Sequence, residues 1–268
     1  MKVLDLFSGI GGMSLGLERA GMETVAFCEV LEFPRKVLRK HWPDVPIYKD
    51  VRELTNDTLK KDKVYPDVIA GGFPCQDIST AGKQKGIHGK RSNLWSEFKR
   101  LIRDVQPKWA LIENVSSLRY QGLALVLQDL WEVGYDAEWH CISASDIGAP
   151  HQRDRLWIVA YPNHERLLEP SVSQGNGAYV CHGKKRQEKT FQPSGSYSSS
   201  LLSRELRQAR DVLKSSNLWA SEPLLDRVVD GVPDRVDRIK SLGNSVVPQI
   251  PYLIGRAIIN SKKVPYTP

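Results

Sequence analysis

A cysteine in a glycine- and proline-rich segment is the residue best suited to nucleophilic chemistry. Cys75 lies in the sequence GGFPCQ at 71–76, directly after the apolar run 67–70. A lone cysteine is usually a small buried hydrophobe, but the flanking glycines and proline indicate a rigid, exposed loop. Because a thiol with a pKa of about 8.5 is only a few per cent thiolate at neutral pH, it needs nearby positive charge to act as a nucleophile.

A glutamate and two arginines next to other apolar runs could complete such a site. Glu113 follows the run 109–112, where an unpaired carboxyl is costly to bury, so it either faces a ligand crevice or takes a salt bridge or helix cap. Arg153 and Arg155 are two residues apart and precede the run 156–160, so in a strand both side chains would point to the same face. Two guanidinium groups suit an anionic substrate, and a solvated basic edge is the structural alternative.

A glycine-rich turn after the first apolar run predicts a nucleoside-binding site. Residues 5–12 read DLFSGIGG, and glycines there let backbone N–H groups approach a ligand at a helix N-terminus. Glu29 ends the second apolar run, near the spacing at which an acidic residue meets ribose hydroxyls. The spacing Gly-x-Gly-Gly, instead of Gly-x-Gly-x-x-Gly, disfavours a nicotinamide oxidoreductase, and a purely structural turn is the other alternative.

Short apolar runs alternate with helical patterns over the first 160 residues. This alternation predicts a doubly wound α/β fold with a mostly parallel sheet, which binds ligands at the carboxyl ends of its strands. Gly21 and Gly134 are predicted to follow the ends of two helices. Strands are predicted at 3–7, 24–27, 67–70, 109–112, 139–144 and 156–160, and helical faces at 94–105, 123–130 and 246–258.

Composition favours a reduced, intracellular, soluble protein with a polyanionic partner. The 268 residues carry 38 Lys and Arg against 31 Asp and Glu, a net charge of +7. The four cysteines form no Cys-x-x-Cys pair, which argues against a disulfide scaffold and a zinc site. Residues 163–220 are rich in Ser, Gly and Gln and predominantly basic, and a solvated insertion is the plain interpretation of them. Neither a signal peptide nor a membrane span is expected.

Seven motifs in order resemble the DNA (cytosine-5)-methyltransferase family. The resemblance covers 1–162 and 239–268, and GKQKG at 82–86 is similar to the mobile active-site loop of that family. The arginine motif begins with His151 where the family usually has Gln. The motifs are DLFSGIGG, Glu29, KDV at 49–51, GFPCQ at 72–76, ENV at 113–115, QRDR at 152–155 and GNSVVP at 243–248.

The resemblance implies an organisation, a cofactor and partners. Residues 1–162 would form a Rossmann-like catalytic domain that binds S-adenosyl-L-methionine and yields S-adenosyl-L-homocysteine, with no metal. Residues 163–238 would be a small, irregular target-recognition domain, and 239–268 a helix that returns to the catalytic domain. The expected partner is double-stranded DNA, and the resemblance allows a paired restriction endonuclease. The expected protein is a monomer without membrane contact, in the cytoplasm at a bacterial nucleoid or in a phage-infected host.

The resemblance also implies roles for individual residues. Cys75 would attack carbon 6 of a flipped cytosine while Glu113 acts at ring nitrogen 3. Arg155 would orient the base carbonyl, and Arg153 would assist or neutralise phosphate. The implied cofactor residues are Phe7, Gly9, Gly11, Gly12, Glu29, Val30, Asp50, Val51, Pro74, Leu94, Asn244, Ser245 and Val246. The implied DNA contacts are Gln76, Ser79, Lys83, Arg91, Lys184, Lys185 and Arg186.

Two alternatives stay open within this scaffold. An RNA cytosine-5 methyltransferase is disfavoured because the Cys-Phe-Thr sequence of the tRNA-modifying branch is absent. A catalytically silent nucleic-acid-binding homologue is disfavoured because a binding protein has no use for both Cys75 and Glu113.

Overall fold

The computed structural model describes residues 1–74, 93–163 and 234–261. Its seven strands belong to one sheet, and each predicted run lies within a strand or overlaps one. One further strand, Ile47–Tyr48, has only two residues, and apolar patterning did not reveal it. The strands are β1 (Lys2–Leu6), β2 (Glu23–Cys28), β3 (Ile47–Tyr48), β4 (Val68–Gly72), β5 (Trp109–Val115), β6 (Tyr135–Ser143) and β7 (Asp154–Pro162).

The sheet is mostly parallel, which confirms the predicted fold class. Its strand order is β3-β2-β1-β4-β5-β7-β6, and only β7 runs antiparallel to its neighbours. From β1 the chain builds the sheet toward one edge, and from β4 it builds toward the other edge. The loops after β1 and β4 therefore lead away from each other and open a crevice at the carboxyl edge of the sheet. A 3-10 helix (Ala144–Ile147) is the regular element between β6 and β7, and such a connection is too short for the crossover helix that a parallel pair needs.

Helices cover both faces of the sheet. On one face α4 (Asn93–Val105) and α6 (Leu123–Glu132) bury an apolar cluster with Phe98, Leu101 and Leu130. On the other face α1 (Gly12–Arg19) and α8 (Gln249–Ser261) bury a second cluster with Leu17 and Leu253. The helices are α1 (Gly12–Arg19), α2 (Glu32–His41), α3 (Asn56–Lys61), α4 (Asn93–Val105), α5 (Leu118–Gln121), α6 (Leu123–Glu132), α7 (Arg235–Asn244) and α8 (Gln249–Ser261).

Two glycines allow the last helix to pack closely on the first. A Cβ on Gly16 of α1 would lie 2.2 Å from the carbonyl oxygen of Pro248, and one on Gly255 of α8 would lie 2.8 Å from the Cβ of Ala20. A glycine in a helix interior lowers the stability of the helix by about 1 kcal/mol relative to alanine. The close packing of the two helices that these glycines allow offsets this cost. Helix α8 begins at Gln249, later than the apolar face predicted from 246, because Pro248 disfavours the helical backbone conformation of the residue that precedes it.

Gly21 and Gly134 follow helix ends as predicted. Each is the second residue beyond its helix and has a left-handed backbone, with φ of 98° and 88°.

Among the described helices, none combines the length and the apolar character that crossing a membrane requires. Helix α7 runs across positions 238 and 239, and the proposed division of the chain into domains stays a prediction.

Candidate active site

Glu113 and Arg155 form an ion pair at the carboxyl edge of the sheet. Strands β5 and β7 pair so that Val115 lies opposite Arg155 and Glu113 opposite Trp157, which places Glu113 and Arg155 diagonally on one face. Arg155 Nε lies 2.9 Å from Glu113 Oε1, and both side chains are largely buried. The contact joins two of the predicted catalytic residues in one site.

The Glu113 carboxylate occupies space that Gly72 leaves free. Gly72 is the last residue of β4 and pairs with Glu113 in the sheet. A Cβ on Gly72 would lie 2.4 Å from Glu113 Oε2, so any larger residue at this position would require the carboxylate to move. The carboxylate therefore lies directly above the strand end from which the chain continues toward Cys75.

Burial and nearby positive charge shift the pKa of Glu113 in opposite directions. Burial raises the pKa of the Glu113 carboxyl, while Arg155 and Arg153 lower it by charge attraction. The net direction is upward, so the proton is retained to a higher pH than on an exposed glutamate. A carboxyl of this kind can donate a hydrogen bond to a ring nitrogen and can also accept a proton from one.

Arg153 joins the site to the C-terminal segment. Its Nη1 donates a hydrogen bond of 2.9 Å to the carbonyl oxygen of Gly243 in α7. Burial lowers the pKa of Arg153, and the neighbouring charge of Arg155 lowers it further. Arg153 and Arg155 are thus both close enough to Glu113 for their charges to lower its pKa.

Asn114 holds the start of the loop that leads to Cys75. Its Nδ2 donates a 3.0 Å hydrogen bond to the carbonyl oxygen of Phe73, and its Oδ1 accepts one of 2.8 Å from the N–H of Val115. The side chain is buried. Asn114 therefore ties the end of β5 to the residue that follows β4, a role that only the three-dimensional pairing reveals.

The glycine turn after β1 has the backbone of a ligand cradle. Phe7, Gly9 and Gly11 have positive φ of 54°, 53° and 87°. A Cβ on Gly9 would meet nothing within 4 Å, so open space lies over the turn. Asp5 lies buried beneath it and accepts a 2.7 Å hydrogen bond from the Ser14 hydroxyl.

Glu29 links the glycine turn to the loop after β2. Its Oε2 accepts a 2.8 Å hydrogen bond from the N–H of Gly9, and its Oε1 accepts one of 2.8 Å from the N–H of Leu31. Each carboxylate oxygen keeps a lone pair for a further donor such as a ribose hydroxyl. The adjacent Val30 is 61% exposed, so an apolar side chain is available beside the acidic one.

The loop after β3 presents Asp50 beside buried Val51. The Asp50 carboxylate is paired with the side chain and the N–H of Arg52, which lowers the pKa of Asp50. Arg100 of α4 donates hydrogen bonds of 2.9 and 2.8 Å to the carbonyl oxygens of Val51 and Leu54. The loop is therefore held in place from below by α4.

Residues from the C-terminal segment close the glycine turn from the other side. A Cβ on Gly12 would lie 2.5 Å from Ser245 Oγ and 2.9 Å from the carbonyl oxygen of Val246. A cleft of about 930 Å³ lies between these segments. Its lining includes Gly11, Gly12, Arg153, Arg155, Ser245 and Val246.

The remaining predicted residues divide into described and undescribed ones. Asn244 is exposed at the end of α7, Pro74 follows buried Phe73, and Leu94 packs at the start of α4 against the cluster on that face. Among the described residues, no cluster of three or more His, Cys, Asp and Glu could hold a metal ion. The predicted nucleophile and the predicted DNA contacts lie outside the described residues: Cys75, Gln76, Ser79, Lys83, Arg91, Lys184, Lys185 and Arg186.

Comparison with known proteins identifies relatives of this chain. Residues 1–219 match the profile of the C-5 cytosine-specific DNA methylase family. The Type II methyltransferase M2.BsuMI of Bacillus subtilis is 38% identical over 168 residues, which cover 60% of this chain and 42% of that protein. The Type II methyltransferase M.HindV of Haemophilus influenzae is 35% identical over 177 residues, which cover 65% of this chain and 58% of that protein. The chain spans about half the length of these relatives.

A solved structure matches almost the whole fold. The methyltransferase EhMeth of Entamoeba histolytica superimposes with a TM-score of 0.63, covering 98% of this chain and 99% of that one. The two sequences are 18% identical. The match therefore reports a shared fold.

Proposed function

This chain belongs to the C-5 cytosine-specific DNA methylase family, and on that premise we propose that it transfers a methyl group from S-adenosyl-L-methionine to carbon 5 of cytosine in duplex DNA. One observation carries the proposal beyond family membership. The buried carboxylate of Glu113 is paired with Arg155 at 2.9 Å and lies over Gly72, where the chain leaves β4 for Cys75. This position of Glu113 supports a role as an acid that acts together with Cys75.

Cys75 and Glu113 would act on the same pyrimidine ring. Carbon 5 of cytosine is a poor nucleophile, but attack of the Cys75 thiolate on carbon 6 moves an electron pair toward carbon 5. A proton from Glu113 at ring nitrogen 3 offsets the negative charge that develops on the ring. After carbon 5 has taken the methyl group, its proton leaves to a base, and the carbon 6–sulfur bond breaks to restore Cys75.

The two arginines would set the charge of the site. Arg155 holds Glu113 in place through Nε and would orient the base carbonyl. Arg153, anchored on the Gly243 carbonyl, would assist it or neutralise a DNA phosphate. Both guanidinium groups would favour the thiolate form of Cys75, because an adjacent positive charge lowers the pKa of a thiol.

The glycine turn and the next two loops fit an adenosine-containing methyl donor. S-adenosyl-L-methionine, when bound, would supply an electrophilic methyl group. The open space over Gly9 and the left-handed turn would admit its amino-acid part, and the free lone pairs of Glu29 would accept from its ribose. Exposed Val30 and the loop of Asp50 would form the adenine side, with Asp50 exchanging Arg52 for the adenine amino group. Phe7, Gly11, Gly12, Val51, Pro74, Leu94, Asn244, Ser245 and Val246 complete the proposed cofactor site.

The DNA would have to present its target base outside the stacked duplex. Extrusion costs a few kcal/mol and is the route by which enzymes reach a ring atom inside a helix. We assign the basic segment within 163–238 to phosphate contact and target recognition, and the loop 82–86 to closure over the base. The proposal includes a monomer that acts in the cytoplasm, with a restriction endonuclease as a further partner where one is encoded.

Sequencing of methylated cytosines tests the function directly. DNA from cells that express the protein should carry 5-methylcytosine in one short sequence context, and DNA from cells that express Cys75→Ser should carry none. Purified Cys75→Ser should bind S-adenosyl-L-methionine with nearly unchanged affinity, which shows that the variant is folded. Full methylation by Cys75→Ser would exclude the covalent route. Methylated RNA together with unmethylated DNA would show that RNA, and not DNA, is the substrate.

A further inference from the structure

A buried arginine lies beneath the proposed cofactor site and takes no part in the mechanism above. Arg35 belongs to α2 and is 8% exposed. Its Nη1 donates hydrogen bonds to two successive carbonyl oxygens, that of Glu29 at 3.0 Å and that of Val30. Its Nη2 pairs with the Glu32 carboxylate, while its Nε has no hydrogen-bond partner among the described residues. The two Nη groups therefore account for the position of the guanidinium.

The two carbonyls belong to the residues whose side chains face the proposed adenosine. A peptide unit that accepts a hydrogen bond on one side is held in one orientation, and the side chains it carries are oriented with it. Glu29 is also held by the N–H groups of Gly9 and Leu31 through its carboxylate. The loop after β2 is thus fixed from above by the glycine turn and from below by Arg35.

The planar guanidinium suits this task better than another cation. It offers several N–H donors in a rigid fork, so one group can serve two carbonyls and a carboxylate at once. An apolar side chain in the same place would leave both carbonyl oxygens without this donor, and a shorter neutral amide lacks the reach and the charge of the guanidinium. Helix α2 carries a second arginine for comparison: Arg39 contacts the same Glu32 at 3.3 Å but is about half exposed, and among the described residues it makes no hydrogen bond or ion pair with the loop.

We propose that Arg35 is a positioning residue for the methyl donor: through the carbonyls of Glu29 and Val30, it holds the loop after β2 in the conformation that binds the adenosine part. This inference rests on the proposed function. Arg35 does not touch the reacting atoms, so its contribution lies in cofactor affinity and not in the chemical step. It belongs to none of the motifs that carry the family resemblance.

The test compares Arg35→Gln with Arg39→Gln. Calorimetric titration should show that Arg35→Gln binds both S-adenosyl-L-methionine and S-adenosyl-L-homocysteine on the order of tenfold more weakly than the unchanged protein, because both ligands share the adenosine part and a hydrogen bond from a charged donor is lost. Arg39→Gln should bind as the unchanged protein does. In Arg35→Gln the KM for the methyl donor should rise, with kcat at saturating donor and the KM for DNA unchanged.

Each outcome decides between the positioning role and its alternatives. Unchanged cofactor affinity in folded Arg35→Gln would overturn the inference, and so would a parallel fall of kcat and DNA affinity, which indicates general damage to the fold. If Arg35→Gln does not fold, Arg35→Lys retains the charge without the planar fork and should show a several-fold loss of cofactor affinity; an unaltered affinity there would overturn the inference as well. Failure of the unchanged protein to bind the methyl donor would instead reject the proposed function.

Discussion

Replacing Asp5 with asparagine should remove a pH dependence of stability that the buried carboxyl creates beneath the glycine turn. Asp5 is 1% exposed, and its Oδ1 has no hydrogen-bond partner among the described residues. Burial raises the pKa of Asp5 from 3.8 to about 7, against the opposing effect of the hydrogen bond from Ser14. Asparagine keeps an oxygen for the Ser14 hydroxyl and carries no charge at any pH.

The size of the effect follows from the two pKa values. A carboxyl whose pKa is higher in the folded state binds more protons there than in the unfolded chain, so the free energy of unfolding falls as pH rises from about 4 to about 7. Each pKa unit corresponds to about 1.4 kcal/mol, and the part of the window between pH 5 and pH 8 amounts to about 2–3 kcal/mol. Above that window the deficit is complete and stays constant.

Urea unfolding at a series of pH values measures this effect. The unchanged protein should lose about 2–3 kcal/mol of unfolding free energy relative to Asp5→Asn between pH 5 and pH 8. Asp44→Asn, which changes an exposed carboxyl, should show a nearly constant difference from the unchanged protein. A constant difference for Asp5→Asn, or one of opposite sign, would refute the assignment of a buried carboxyl with a raised pKa.

Three further predictions concern the site and the DNA. Gly72→Ala should lower the methylation rate about tenfold, because the new Cβ would lie 2.4 Å from Glu113 Oε2 and would displace the carboxylate from Arg155; Gly243→Ala, whose Cβ would meet nothing within 4 Å and which keeps the carbonyl oxygen that accepts from Arg153, is the matched control and should stay active. Arg155→Gln should raise the pKa of Glu113 further, so the alkaline limb of the rate–pH profile should move to higher pH and kcat should fall; a limb that stays in place would show that the profile does not report the protonation of Glu113. DNA affinity should fall steeply with salt, and less so when basic residues within 163–220 are neutralised; a salt-independent complex would remove that segment as the phosphate contact.

Apolar patterning was sufficient to predict the central part of the sheet. Strands β1 and β5 are buried over most of their length, so apolar residues dominate them and stand out from the surrounding sequence. Strand β3 has only two half-buried residues at the edge of the sheet and carries no such signal. The antiparallel direction of β7 was also beyond patterning, because the periodicity of a strand does not encode its direction.

In the candidate site, too, the sequence predicted individual residues but not the contacts between them. Glu113, Arg153 and Arg155 were predicted because each stands beside an apolar run, and the structure brings them together. The closeness of Gly72 to the Glu113 carboxylate, and the hydrogen bond from Asn114 to Phe73, depend on the pairing of β4 with β5 and have no signature along the chain. Arg35 was not predicted either, since a basic residue in an amphipathic helix is normally exposed.

The most direct test of the central claim is covalent trapping of the nucleophile. In duplex DNA whose target cytosine carries fluorine at carbon 5, the proton that must leave after methyl transfer is absent, so the bond between Cys75 and carbon 6 cannot be resolved. With the methyl donor present, the unchanged protein should give one covalent protein–DNA species by mass spectrometry, with the modification on Cys75, and Cys75→Ser should give none. An unchanged protein that methylates ordinary DNA but forms no adduct with the fluorinated duplex would contradict the account.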